Sequence, residues 1–174
     1  SRAALREALA LHSDIVLGQE SPNEAALAAE ARAAFGSDAA WLWSSDCAII
    51  ARGTLHLSEP PTANFLNAIW KPNDELTLEV ISLRLSPPVV RYDLWAPSCW
   101  AEHMAVRRRH ATEAAQVEAV LGSTMVTSGT IVGGDCNEPA GSGALRSWRG
   151  ALRDAFATAG RGWGGTVLNQ WPMQ

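Results

Sequence analysis

Four segments rich in β-branched and aromatic residues follow one another between residues 40 and 85 with no helical stretch between them. They are AWLW (40–43), CAIIAR (47–52), NFLNAIW (64–70) and ELTLEVISLRL (75–85). Turns bearing Ser, Pro and Gly separate them, the punctuation expected of consecutive strands. On either side the chain reads helix–strand–helix. Residues 2–11 set Leu5, Ala8 and Leu9 on one face and Arg2 and Arg6 on another, an amphipathic helix. A short apolar strand, DIVLGQ (14–19), leads to SPNE, which predicts a helix start with Ser21 as N-cap, Pro22 at the first helical position and Glu24 three after the cap. That helix stops at Gly36. Beyond the strand run come an irregular excursion with three prolines (86–100), a long helix over 101–121, the strand TIVGGD (130–135) and a helix over 143–160 that breaks near Leu152 or Arg153. Strands bunched between two helix–strand–helix units argue for α/β layers around packed sheets rather than one regular parallel sheet.

A chain of 174 residues fits one domain with a real core. With 47% hydrophobic and 18% charged residues it has an ordinary globular balance. No apolar run approaches the roughly 20 residues of a membrane-spanning helix, so no transmembrane segment is expected. No signal peptide is visible, yet the chain opens on Ser1 rather than Met, which leaves localisation open. A net charge of −4 weighs against tracking nucleic acid by charge alone. Cys47, Cys99 and Cys136 are odd in number, widely spaced and without a C-x-x-C, and read as free thiols.

Two strands end in acids. IVLGQE delivers Glu20, and IVGGDCN delivers Asp135 and Asn137 after two glycines, which are expected to turn the chain sharply and aim both residues into a cleft. Carboxylates just beyond strand ends lie where a cleft forms at a sheet edge. An open carboxylate suits Mg2+, which keeps several waters and uses few protein oxygens. A second carboxylate can orient or deprotonate water, and an amide can hold a phosphate oxygen without adding negative charge.

DIVLGQE resembles the strand-plus-Gln-Glu motif of the endonuclease/exonuclease/phosphatase superfamily, the DNase I-like fold. IVGGDCNEPAGSGALRSWRGALRDAFATAGRGWGGT resembles that family's Gly-Asp-Phe-Asn motif with its usual sequel: a proline, small residues, a helix, Leu-x-Asp-Ala and a Gly-x-Gly-x-Thr-like close. DCAIIARGTL (46–55), LEVISLRLSPP and RRRHATEAAQVEAVL are similar to the pieces between, so the resemblance covers nearly the whole chain and is most specific at its first and last parts. It implies one domain over 1–174 with a four-layer α/β/β/α sandwich of two packed mixed β-sheets flanked by helices. It also implies hydrolysis of a phosphodiester or phosphomonoester by activated water with Mg2+, Mn2+ being the other candidate ion. Carried over position by position, Glu20 is the metal-binding glutamate, Asp135 orients or activates the water, and Asn137 holds the scissile phosphate or positions Asp135. The substrate is a phosphoester, with nucleic acid or a phospholipid head group as candidates.

The chain departs from the family in four ways. It lacks the family's N-terminal strand ending in Trp-Asn and its C-terminal Arg-x-Asp strand and Ser-Asp-His segment. The expectation is therefore a domain that continues at both ends, or a catalytically impaired one, the alternative being a binding or scaffold domain that retains the fold. Arg84 stands where many relatives have His. A guanidinium does not donate a proton near neutral pH but can neutralise a phosphate, so Arg84 is a substrate-binding candidate. Cys136 replaces the usual Phe and is expected to pack away from Asp135 and Asn137.

Elsewhere, Arg107, Arg108 and Arg109 fan around a helix and read as solvated. His103 and His110, seven apart, lack a third metal ligand. Trp95 and Trp100 are expected to pin their loop to the core, contact with a base or lipid being the alternative. Tyr92 is a phosphate-contact candidate by resemblance to some members of that superfamily.

Overall fold

Strand alternation decides the layering. The structure, a computed structural model, describes residues 2–89, 91, 93–123, 128–137 and 143–160. The elements run α1 (Arg2–Leu9), β1 (Ile15–Gln19), α2 (Glu24–Phe35), β2 (Ala39–Trp43), β3 (Cys47–Arg52), β4 (Thr54–Leu57), β5 (Phe65–Lys71), β6 (Leu78–Arg84), α3 (Pro97–Ser123), β7 (Gly129–Asp135), α4 (Gly143–Arg146) and α5 (Ala155–Ala159). The strands form a three-stranded sheet, β1-β3-β2, and a four-stranded sheet, β4-β5-β6-β7. The first is wholly antiparallel. Among the described residues the second alone is mixed, because β7 runs parallel to β6. Among the described strands, the four-stranded sheet has the mixed pairing expected of both. The α/β sandwich itself is as expected.

Three apolar clusters mark the three interfaces between four layers. Between the sheets lie Cys47, Ile49 and Ala51 of β3, Leu66, Ala68 and Trp70 of β5, and Val80 of β6. On the outer face of the three-stranded sheet, Ala48 and Ile50 meet Leu5 of α1 with Leu27 and Ala31 of α2. On the outer face of the other sheet, Phe65, Ile81 and Leu83 meet Ala114 and Val117 of α3 and Trp148. Neighbouring residues of one strand thus belong to different interfaces, as a period of two demands.

Several boundaries differ from the sequence reading for physical reasons. The N-cap of α2 is Asn23, whose side chain accepts from the Ala26 N–H, and not Ser21. Pro22 lies outside the helix, with its carbonyl accepting from Trp43 Nε1. The Ser21 hydroxyl instead sits over Gly18, where an added Cβ would lie 2.8 Å from it. β6 starts at Leu78 because Asn73 Oδ1 takes the N–H groups of Glu75 and Leu76 into a turn. α3 starts at Pro97, four residues before the expected helix, with proline in the first turn, where its missing N–H costs nothing. The expected 143–160 helix splits into α4, a 3-10 turn over Ser147–Gly150 and α5, which is capped by Asp154. Among the described residues no helix is long and apolar enough to cross a membrane.

Arg2 and Arg6, one turn apart on α1, both reach Glu30 of α2, at 2.5 and 2.9 Å. Their hydrogen bonds hold the Glu30 carboxyl below its ordinary pKa, against the opposing push of burial. A carboxyl lowered in the folded state stabilises fully above its unfolded pKa. That contribution is lost as pH falls through the folded value. Acid melting curves of the wild type should therefore show an extra loss of midpoint below the normal glutamate range, and Glu30→Gln should remove that part of the pH dependence.

Candidate functional site

One arginine faces three carboxylates where the ends of β1, β6 and β7 meet. Arg84, the last residue of β6, lies on the inter-sheet side with Val80 and Ser82. Its Nη2 is 2.5 Å from Glu20 Oε1, its Nη1 is 3.6 Å from Asp46 Oδ1, and its Nε is 4.0 Å from Asp135 Oδ2. Glu20 and Asp46 flank strands of one sheet, Arg84 and Asp135 end strands of the other, so the cluster bridges the two sheets.

The strands set each member. Arg84 and Asp135 are register partners in the parallel β6–β7 pair. The Arg84 N–H donates to the Asn64 carbonyl and the Leu85 N–H to the Asp135 carbonyl. Just beyond, Glu113 of α3 accepts from the N–H and the hydroxyl of Ser86, and His110 Nε2 donates to the Ser86 carbonyl at 2.5 Å. The long helix therefore clamps the end of β6. Across the gap, the Glu20 N–H donates to the Asp46 carbonyl, and Gln19 Nε2 donates to Ser82 Oγ at 3.2 Å, tying the two sheets beside the cluster.

Glu20 and Asn137 share an uncommon backbone state. Their φ values are +50° and +46°, and His12 is the other non-glycine residue with positive φ among those described. Such backbone costs on the order of 1 kcal/mol or more at Glu20, whereas asparagine visits it readily. At Glu20 it breaks the strand alternation, by which Glu20 would point with Val16 towards the helices.

The two glycines before Asp135 act differently from expectation. β7 runs on through Gly133, Gly134 and Asp135 without a sharp turn. Gly133 leaves room for Leu17 of the facing sheet, whose Cδ1 would lie 2.7 Å from an added Cβ. Gly134, at φ +154°, lets the two backbones close up, for a Cβ there would fall 1.8 Å from the Leu83 carbonyl oxygen. The chain turns only at Asn137. There the Asn137 N–H donates to Asp135 Oδ1 at 3.1 Å, and Asn137 Nδ2 donates to the Leu85 carbonyl at 2.8 Å. Asn137 thus positions Asp135 through its backbone, with one of its two side-chain N–H groups committed to Leu85, the residue after β6.

The structure therefore brings Glu20, Asp135 and Arg84 to one place, with Asn137 bonded to Asp135. It also adds Asp46, to which the sequence reading gave no role. The signal was the β1–β3 register, which pairs Gln19 with Cys47 and so puts Asp46 beside Glu20. Neighbouring Cys47 is no nucleophile, since burial and the Asp46 charge push its thiol up to about 12 and keep it protonated. Cys136 packs against the α3-side core, as expected.

Among the described residues no group of three or more His, Cys, Asp or Glu side chains is gathered closely enough to hold a metal ion. Mg2+ asks for less, one or two carboxylates with water completing its shell. Glu20, Asp46 and Asp135 are hard oxygen donors 70%, 40% and 46% exposed. Their chemistry fits such an ion, and their present cation is the guanidinium.

The remaining candidates separate. A cavity of about 680 Å3 borders Asn137 and is lined by Val89, His103, Arg107 and His110 among others. Arg108 and Arg109 are exposed, as expected. Trp95 is 85% exposed and does not pin its loop, and Trp100 is also exposed, with its Nε1 bonded to the Leu94 carbonyl. The loop is held instead by Arg91, which pairs with Asp93 and Glu102. Tyr92 lies outside the described residues. Set against protein-family models, curated proteins and solved structures, the chain matches none.

Proposed function

We propose that this domain is a metal-dependent phosphoesterase whose site is the Glu20–Asp135–Asn137 end of the sandwich. The observation that carries the reading is the meeting of Glu20 and Asp135, from the first and last described strands, around Arg84, with Glu20 and Asn137 both in left-handed backbone. Backbone strain of the kind held at Glu20 collects at functional sites, where the surrounding structure keeps it in place. A bound divalent ion would supply Lewis-acid stabilisation of the developing phosphate charge. Glu20 would hold that ion. Asp135, kept in one orientation by the Asn137 N–H, would align and deprotonate the attacking water. Asn137 carries a second side-chain N–H for a phosphate oxygen, and Arg84 supplies a planar donor fork on the same side. Turnover of bis-p-nitrophenyl phosphate and p-nitrophenyl phosphate should require Mg2+ or Mn2+ and stop with EDTA. The preference between the two distinguishes a diesterase from a monoesterase.

The Arg84 ion pairs favour one other reading, a binding or scaffold domain in which the carboxylates serve to join the sheets. In that case phosphoester binding would be independent of metal and no product would form.

A further inference from the structure

Three carboxylates converge on one guanidinium, and the pairing is lopsided in two ways. Among the described residues Arg84 is the one cation within 4.0 Å of Glu20, Asp46 or Asp135, so the cluster keeps excess negative charge. At the same time Arg84 Nε is buried with no hydrogen-bond partner, because Asp135 Oδ2, at 4.0 Å, is beyond bonding reach. The carboxylates have too little positive charge, and the arginine has an unanswered charged donor.

We infer that Arg84 is a displaceable internal cation, a guanidinium that holds the carboxylates in the resting protein, competes with a divalent ion for them, and becomes a phosphate ligand once displaced. The inference rests on the phosphoesterase reading for the identity of the site and adds a linkage to it. Glu20 and the guanidinium cannot be fully paired while Glu20 also gives its charge to a metal. Binding of the ion therefore frees Arg84 Nη2. Two phosphate oxygens would then accept from that group and, once the displaced side chain exposes it, from the orphan Nε, the planar two-point contact that carboxylate and phosphate groups share. Metal and phosphate should accordingly bind with positive coupling, and by reciprocity each should tighten the other by the same factor. Arginine at this position would thereby make the domain responsive to the ion and the phosphate together.

The test uses the whole chain and reads binding. Titration calorimetry measures Mn2+ affinity in wild type and in Arg84→Met, which keeps the stem and removes the charge. It also measures inorganic phosphate affinity of the wild type with and without Mn2+. Competition predicts that Arg84→Met binds Mn2+ about 5-fold or more tighter than wild type. Linkage predicts that Mn2+ tightens phosphate binding to wild type by a similar factor, and that this gain disappears in Arg84→Met. Unchanged or weaker Mn2+ binding in a folded Arg84→Met would overturn the competition while leaving the metal site standing. Absence of Mn2+ binding in both proteins would overturn the metal reading and this inference together. Should Arg84→Met fail to fold, the wild-type linkage decides alone, and phosphate affinity indifferent to Mn2+ would refute the coupling.

Discussion

Gly134→Ala should lower stability by more than about 3 kcal/mol, at the severe end for a single substitution, and move the melting midpoint down by roughly 10 °C. The reason is a backbone obstacle. The new Cβ would lie 1.8 Å from the Leu83 carbonyl oxygen, and no side-chain rotation relieves that contact. β7 would have to leave β6, taking Asp135 from Arg84 and exposing Ile131 and Val132. Gly133→Ala is the matched control. Its Cβ meets only the end of the Leu17 side chain, which can rotate, so a cost nearer 1 kcal/mol is expected. Paired denaturant titrations decide the matter, and equal losses in the two variants would disprove the close-approach account of Gly134.

Glu20→Gln should abolish more than about 99% of metal-dependent turnover, since even supporting residues around a metal are worth ~10–100-fold. Asp135→Asn should lower kcat by about 10²–10⁴-fold, the usual range for a positioned base. Both are nearly isosteric. Glu20 is largely exposed, and an asparagine at 135 still offers an oxygen to the Asn137 N–H, so melting midpoints should shift little. Mn2+ affinity should fall in Glu20→Gln more than in Asp135→Asn. Wild-type turnover in the glutamine variant would remove Glu20 from the site, whatever role Asp135 kept.

Much of the sandwich was legible because burial is periodic. CAIIAR is β3 residue for residue, and the β1 and β2 segments agree within one position. β4 escaped because Thr54–Leu57 is short and mostly exposed, and it exists by pairing with β5. The cap of α2 was misplaced because Ser21 and Asn23 are both good caps and tertiary packing chose between them. At the candidate site, Glu20, Asp135, Asn137 and Arg84 were singled out from motifs, and the structure brings them together. Asp46 could not, since its place depends on which strands pair and in which register. Nor could the work of Gly133 and Gly134, which answers to residues far away in the chain.

The parallel seam between β6 and β7 also bears on the order in which the layers can assemble. Antiparallel neighbours such as β2 and β3, or β5 and β6, are joined by short connections and can zip early. β7 arrives only after a crossover carrying the 27-residue α3, and loop closure over such a span is slow. Asp135 and Asn137 travel with it. A chain with most of its layers in place but β7 still undocked would accordingly lack Asp135 beside Arg84 and Asn137 bonded to Leu85.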